Sequence, residues 1–420
     1  MDNKKLVFSS GIANSFEWYN YALFGHLAVI LSDKFFPDDD PSIQILNGLL
    51  LFAAGYIVRP LGGVIFGIIG DKLGRKKALT TSIMCMAYPT AIISILPSHE
   101  SIGITATILM IIIRMVQGLS MGGALTGSVS FLMEHTNSTK RGLFGSIPMA
   151  SISVGILAGS IVTFTIKLLL DDASFDNWGW RIPFFLGIFI VFAAKYINKY
   201  MDETPKFKEI KKNDYILKSP LKSAFKSNWR DIIISIMINS TGSVLFYMQA
   251  IYMVNYLTLE RSFSELQLSY IINTSYVVIF LSTIFSGWIS DKIGRVSLFR
   301  IFLICIITSI LPLIKLLEFG DIYEVWFAGI MLAIFAGLYI GPEPVLQAEL
   351  FPTNVRNTSL SVSYNVSTSI FGGLTPYILQ LIVHNTGSLV LTSYYIITCG
   401  ILSLTALFFY KNRSQENNET

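Results

Sequence analysis

Three ionisable residues lie inside long apolar stretches of this 420-residue chain: Glu17, Arg59 and Arg114. In a hydrocarbon environment each would cost at least roughly 2.5–3.5 kcal/mol on insertion scales, so a charge that survives there marks a candidate site. A carboxylate so placed can take up and give back a proton as its surroundings dry and wet, which makes Glu17 a candidate proton carrier. Arg114 offers the planar two-pronged donor geometry that either pairs with Glu17 or holds a substrate carboxylate. A permanent Glu17–Arg pair that only locks helices together is the other reading, because structural ion pairs also survive burial. On a helix, Asn14, Glu17 and Tyr21 share one face by their three- and four-residue spacing, and that face can line a cavity. Glu343 lies between Pro342 and Pro344, where two prolines break a helix and free carbonyls. It is either a further titrating group or a residue solvated through that break. Asn239, Tyr247, Gln249 and Tyr252, with Asn273 and Tyr276 further on, supply hydrogen bonding without charge. Such residues suit a zwitterion or polyol, and they equally serve as bonds between helices.

The elements that must position these residues are membrane helices. Hydrophobic residues make up 52% of the chain and charged ones only 14%, outside the range of a soluble globular protein. A helix needs about 20 apolar residues to cross a hydrocarbon core, and an open strand would leave its backbone unpaired there. Twelve such spans are expected near 7–31, 46–70, 78–97, 102–132, 143–170, 181–200, 230–256, 267–288, 298–317, 323–346, 358–383 and 388–410. The first span begins almost at the initiator and carries Glu17 and His26 with no small-residue cleavage site after it, so it is expected to be retained. Cys85, Cys305 and Cys399 are isolated in apolar spans and suit small core residues, not metal ligands or disulfides. Short loops rich in Lys and Arg, including Lys72 to Lys77, Lys140 with Arg141, and Lys206 to Arg230, alternate with loops rich in acids such as Asp38, Asp39, Asp40, Asp171 and Asp172. By the positive-inside rule both termini and the middle loop are expected in the cytoplasm of a cell that carries this chain in its plasma (inner) membrane. The net charge of +4 then reports topology, and no basic patch with interleaved aromatics suggests nucleic acid.

The longest polar interruption, residues 202–229, divides six spans from six. The expected organisation is a six-helix bundle over 1–201, a cytoplasmic linker over 202–229, a second six-helix bundle over 230–410 and a short tail over 411–420. Gly67, Asp71, Lys72, Gly74 and Arg75 recur at one constant offset as Gly287, Asp291, Lys292, Gly294 and Arg295, each set following the second span of its half. That coincidence points to internal duplication.

The repeated Gly-x-x-x-Asp-Lys-x-Gly-Arg turn resembles the loop signature of the major facilitator superfamily, and Arg114, Gln117, Gly118, Gly122 and Gly123 are similar to its fourth-helix motif. Further matches resemble the metabolite:proton symporter branch: Glu17-Trp18-Tyr19, Arg59-Pro60-Leu61-Gly62-Gly63, the run from Trp178 to Phe185, Glu203-Thr204-Pro205, and Glu349-Leu350-Phe351-Pro352-Thr353 with Arg356. They cover nearly the whole chain in order, and the proline/glycine betaine transporter type is the nearest resemblance, with carriers of citrate, α-ketoglutarate or shikimate as relatives.

The resemblance implies an all-α integral membrane protein of twelve transmembrane helices in two six-helix bundles. It implies proton symport of a small polar metabolite, with a proline- or betaine-like zwitterion first and a carboxylic acid as the alternative. The expected proton-coupling set is Glu17, Arg114 and Glu343, and the expected substrate-binding set is Asn14, Asn20, Tyr21, Arg59, Gln117, Asn239, Tyr247 and Asn273. In the loops it implies that Asp71 caps the eleventh helix, that Arg75 pairs with Glu134, and that Asp291 and Arg295 act likewise against the fifth helix. Gly67 and Gly74 allow the close approach and the tight turn, so these residues form a gate. Two positions depart from the pattern. Asn20 stands where the branch usually has Asp, and Ala124 where it often has Glu, so coupling would rest more heavily on Glu17, and facilitated diffusion without coupling stays open. A transporter-derived nutrient sensor is a further alternative. An intramembrane enzyme is not expected, since no His-Glu-x-x-His, paired aspartates or phosphate-binding loop occurs in the spans. The expected partners are a solute, a proton and membrane lipid, with no nucleic acid, cofactor or metal, acting as a functional monomer.

Overall fold

The computed structural model describes residues 3–37, 41–213, 219–253, 256–257, 261 and 263–413. The acids at 38–40 and the tail at 414–420, both used in reading the topology, lie outside the described residues. Helices lie within each of the twelve expected spans, residues 254–255 of the seventh falling outside the described residues. They are α1 (Asn3–His26, continued by Ala28–Phe35), α2 (Pro41–Leu73), α3 (Arg75–Ile93), α4 (Ile104–His135), α5 (Arg141–Leu169) and α6 (Arg181–Leu186 with Phe189–Tyr200). In the second half they are α7 (Pro220–Tyr247, ending in a π turn at Met248–Tyr252), α8 (Glu265–Ile293), α9 (Arg295–Phe319) and α10 (Ile322–Ile340 with Glu343–Ala348). The last two are α11 (Arg356–Ser367 and Thr375–Thr386, joined by a π turn) and α12 (Thr392–Phe408). Among the described residues, eight helical spans are long and apolar enough to cross a membrane, and α12 is a shorter apolar helix.

The helices show what they face. On α4 the stripe Ile104, Ile108, Ile112 and Met115 is exposed, whereas Arg114, Gln117 and Met121 on the other side are buried. In water such a stripe would be a liability, but in a bilayer it is the lipid face, and the polar face turns to protein. Pro60 and Pro148 lie inside the unbroken helices α2 and α5, whereas Pro342 and Pro344 sit at the interruption of α10.

The chain divides into two compact units, Met1–Phe131 with Ser151–Ile216, and Leu132–Ala150 with Leu217–Thr420. Residues 132–150, which carry the end of α4 and the start of α5, group with the second unit. The first unit has a core of Leu23, Phe24, Leu31, Phe35, Ile93, Met110, Trp180 and Phe184. Within it the backbones of α2 and α4 meet without intervening side chains. A Cβ at Gly62 would strike the Leu119 carbonyl, and one at Gly118 would strike the Gly55 carbonyl. Only glycine permits that approach, and it sets Arg59 and Arg114 in register on the two helices.

Candidate functional site

In the first unit the buried polar residues of α1, α2 and α4 converge. Asn14, Glu17, Asn20, Arg59, Arg114 and Gln117 are each 2% exposed or less. Neither carboxylate oxygen of Glu17 has a hydrogen-bond partner among the described residues, and the cation whose charge acts on it is Arg59. Arg114 stands apart from that pair. Its guanidinium lies 3.8 Å from the centroid of the Phe24 ring, and its NH1 donates to Gln117 Oε1 at 3.3 Å. It makes no ion pair among the described residues. Of the two cations open to Glu17, Arg59 is the one whose charge reaches it.

A neutral network extends from Arg114. Gln117 Nε2 donates to Asn20 Oδ1 at 3.3 Å and to Thr90 Oγ1 at 3.0 Å, and Thr90 Oγ1 also donates to Asn20 Oδ1 at 3.2 Å. Asn20 completes the chain by donating to Met86 Sδ at 3.5 Å. An aromatic group flanks the cation. Trp18 and Tyr21 have ring centroids 4.9 Å apart, Tyr21 and Tyr56 are 5.9 Å apart edge to face, and both tyrosines lie near enough to Arg114 to interact with it electrostatically. Tyr19 has a supporting role, its hydroxyl donating to the Pro183 carbonyl at 2.7 Å and so tying α1 to α6. A buried guanidinium beside aromatic faces and amides can receive a carboxylate at one end of a small molecule and a weakly hydrated cation at the other.

The two loop motifs have different supports. Gly74 and Gly294 both sit at positive φ, 112° and 90°, which accounts for glycine at each. In the first copy Arg75 is fully buried, pairs with Asp71 at 3.0 Å, donates to the Gly70 carbonyl and lies under the Phe207 ring. Glu203 caps α3, its Oε1 accepting from the backbone of Arg75 at 3.0 Å and of Lys76 at 3.2 Å. Thr204 then caps the short helix Pro205–Lys212 that carries Phe207. Gly67 is buried one turn before Asp71.

The second copy is held from another side. Asp291 accepts from the backbone of Gly142 at 2.8 Å and Leu143 at 2.9 Å, both in the first turn of α5, so the anion sits at the positive end of that helix. Arg295 joins Asp291 at 2.9 Å to Glu349 at 3.0 Å. Glu134 pairs with Arg356 at 3.5 Å, and the charge of Arg141 acts on Glu349. Sequence reasoning missed Glu203, Arg141 and Glu349 as parts of these clusters. One signal was present: Glu134 and Arg141 are separated as Glu349 and Arg356 are, at matching places in the two halves.

The other candidates of the second half are spread out. Asn239 is buried, its Oδ1 accepting from Ser243, and its Nδ2 has no partner among the described residues. Tyr247 is buried with its ring against Gly372. Asn273 is exposed on α8. Glu343 is 2% exposed, beside Gln347.

Comparison with known proteins agrees with this architecture. The model of the Major Facilitator Superfamily matches residues 8–376 and 244–420. The glycine betaine/proline/ectoine/pipecolic acid transporter OusA of Dickeya dadantii is 31% identical over 98% of this chain and 84% of its own length. The proline/betaine transporter of Escherichia coli K12 is 31% identical over 96% of this chain and 82% of its own length. The ectoine/proline transporter ProP of Corynebacterium glutamicum is 31% identical over 96% and 83%. Among solved structures, the proton:xylose symporter XylE superposes with a TM-score of 0.77 at 16% identity over 98% of this chain and 96% of its own, which speaks for the fold. With its helices, its duplicated loop and these relatives in agreement, the chain belongs to the Major Facilitator Superfamily of membrane transporters.

Proposed function

We propose that this chain is a proton-coupled secondary transporter of a small zwitterionic osmolyte of the proline or betaine kind, working by alternating access. The observation that carries the reading is Arg114: a cation 2% exposed, with no carboxylate beside it among the described residues, set against Phe24 and Gln117. A buried guanidinium left without an anion is costly, and a substrate carboxylate supplies the missing partner. The rings of Trp18, Tyr21 and Tyr56 offer faces to a quaternary or secondary ammonium at the other end. The names of the relatives favour the same substrates. Asn20 in place of an acid keeps the network around Arg114 neutral and leaves the cation to the substrate. Glu17, beside Arg59, carries the proton. The loops at Asp71, Arg75 and Glu134 and at Asp291 and Arg295 form the cytoplasmic gate, both termini face the cytoplasm, and one chain is the working unit.

Uptake into proteoliposomes tests the substrate end. Labelled proline and glycine betaine are expected to enter and to compete with each other, and citrate, α-ketoglutarate and shikimate are expected not to. Arg114→Lys keeps the charge but loses the fork, so it should raise the half-saturating concentration at least about tenfold. Equal uptake by wild type and Arg114→Lys, or a preference for the carboxylic acids, would remove the zwitterion reading.

A further inference from the structure

Glu343 opens the lower segment of α10, just past the break made by Gly341 and Pro342. Its Oε1 accepts from Gln347 Nε2 at 3.0 Å, one turn on. Its Oε2 lies against the backbone of α7, where a Cβ on Gly242 would come within 2.5 Å of it. The socket is thus closed by a glycine on one side and an amide on the other.

No cation reaches this carboxyl among the described residues. The ion pairs of the second unit lie elsewhere, joining Arg295 to Asp291 and Glu349, Arg356 to Glu134, and Arg413 to Asp231. The titratable groups around Glu343 are Tyr339, one turn back on α10, and beyond it Cys399 of α12. The Tyr339 hydroxyl is turned to the Ile238 carbonyl at 2.6 Å. α7 contributes Gly242 and Thr241, and Thr241 is bonded to Ser403 of α12 at 2.7 Å. α5 brings Gly145 against Val345, and the charge of its Arg141 acts on Glu349. An ionised carboxylate enclosed in this way would be neither paired nor hydrated.

Gln347 provides a second, independent observation. Its Oε1 is buried and has no hydrogen-bond donor among the described residues. A carboxylate cannot supply one, but a carboxylic acid can: its O–H donates to the amide oxygen while its C=O accepts from the amide nitrogen. We propose that Glu343 is a neutral carboxylic acid in this conformation, clasped by Gln347, and that it is a proton-exchange site of the second half alongside Glu17. When α10 withdraws from Gly242, water enters the break, the acid O–H ionises to that water, and the carboxylate stays hydrated until α10 closes again with a proton restored. The protonation state stands by itself, whereas its consequence for transport rests on the proposed symport.

Infrared spectroscopy of the purified protein at neutral pH tests it, with Glu17→Gln as background to remove the buried acid whose carboxylate oxygens have no hydrogen-bond partner among the described residues. The background protein should show a C=O stretching band of a protonated carboxyl that Glu343→Gln abolishes and Gln347→Leu, which keeps the acid, shifts. Extractable yield of Glu343→Gln should equal that of its background, because glutamine replaces a neutral group of the same shape. A band that survives unchanged in Glu343→Gln, or no such band in the background protein, overturns the proposal. In proteoliposomes, Glu343→Gln should exchange internal for external proline with a rate that no longer falls at alkaline pH. An unaltered pH profile would remove the exchange role. Absence of proline uptake by the wild type with the infrared band present would instead count against the proposed substrate alone.

Discussion

Asp291 is the place where the geometry permits the most definite mechanical prediction. Its side chain is only 8% exposed, and one carboxylate meets two first-turn N–H groups of α5, at Gly142 and Leu143, as well as Arg295. Asp291→Asn keeps the shape but turns one acceptor into a donor, which then opposes a backbone N–H. A hydrogen bond to a charged group contributes about 1.5–3 kcal/mol, and an anion at a helix N-terminus adds about 0.3–1 kcal/mol. The substitution therefore weakens the attachment of the start of α5 by about 2–4 kcal/mol, or roughly thirty-fold to several hundred-fold in population. Ser290 reports on it, being 1% exposed with Gly142 packed over its hydroxyl. In a background lacking Cys85, Cys305 and Cys399, a cysteine introduced at Ser290 should react with a membrane-permeant maleimide at least about tenfold faster when Asp291→Asn is present. An unchanged rate would refute the capping argument, because the start of α5 would then be held by something other than this carboxylate.

Further outcomes are expected. Glu203→Gln should lower the Tm of the detergent-solubilised protein, since loss of a carboxylate cap on Arg75 and Lys76 corresponds to about 1–2 kcal/mol; an unaltered Tm would mean that the cap contributes nothing. Gly118→Ala should sharply reduce folded protein in the membrane while Gly127→Ala should not, because the first Cβ would strike the Gly55 carbonyl and the second has nothing nearer than 3.9 Å. Equal yields would count against the α2–α4 contact. Glu17→Gln should abolish uphill uptake driven by pH yet spare exchange of internal for external substrate, which needs reorientation but no proton release. Retained accumulation in that variant would take the proton from Glu17.

Much of this was visible in the residues alone. A charge within an apolar run stands out whatever its partner, so Glu17, Arg59, Arg114 and Glu343 could be singled out, and the duplicated loop announced the two halves. Pairing was not visible in the same way. Both Arg59 and Arg114 lie within helical reach of α1, and the choice between them depends on how far α2 slides along α4. That register is set by Gly55, Gly62 and Gly118 meeting backbone atoms, a contact with no signature beyond small residues. Glu203 was hidden for another reason: an acid in a lysine-rich linker looks solvated, and its capping role exists only because the chain after α6 folds back on Gly74. The clasp of Glu343 by Gln347 was present as a four-residue spacing, yet only the burial of the amide oxygen gives that spacing a meaning.

The central claim is that substrate and proton move together. Purified protein in liposomes loaded at neutral pH and diluted into acidic medium should accumulate labelled proline or glycine betaine transiently above the external concentration, and a protonophore should abolish the overshoot. Entry that merely equilibrates, at the same level with and without the gradient, would contradict the account and leave an uncoupled facilitator.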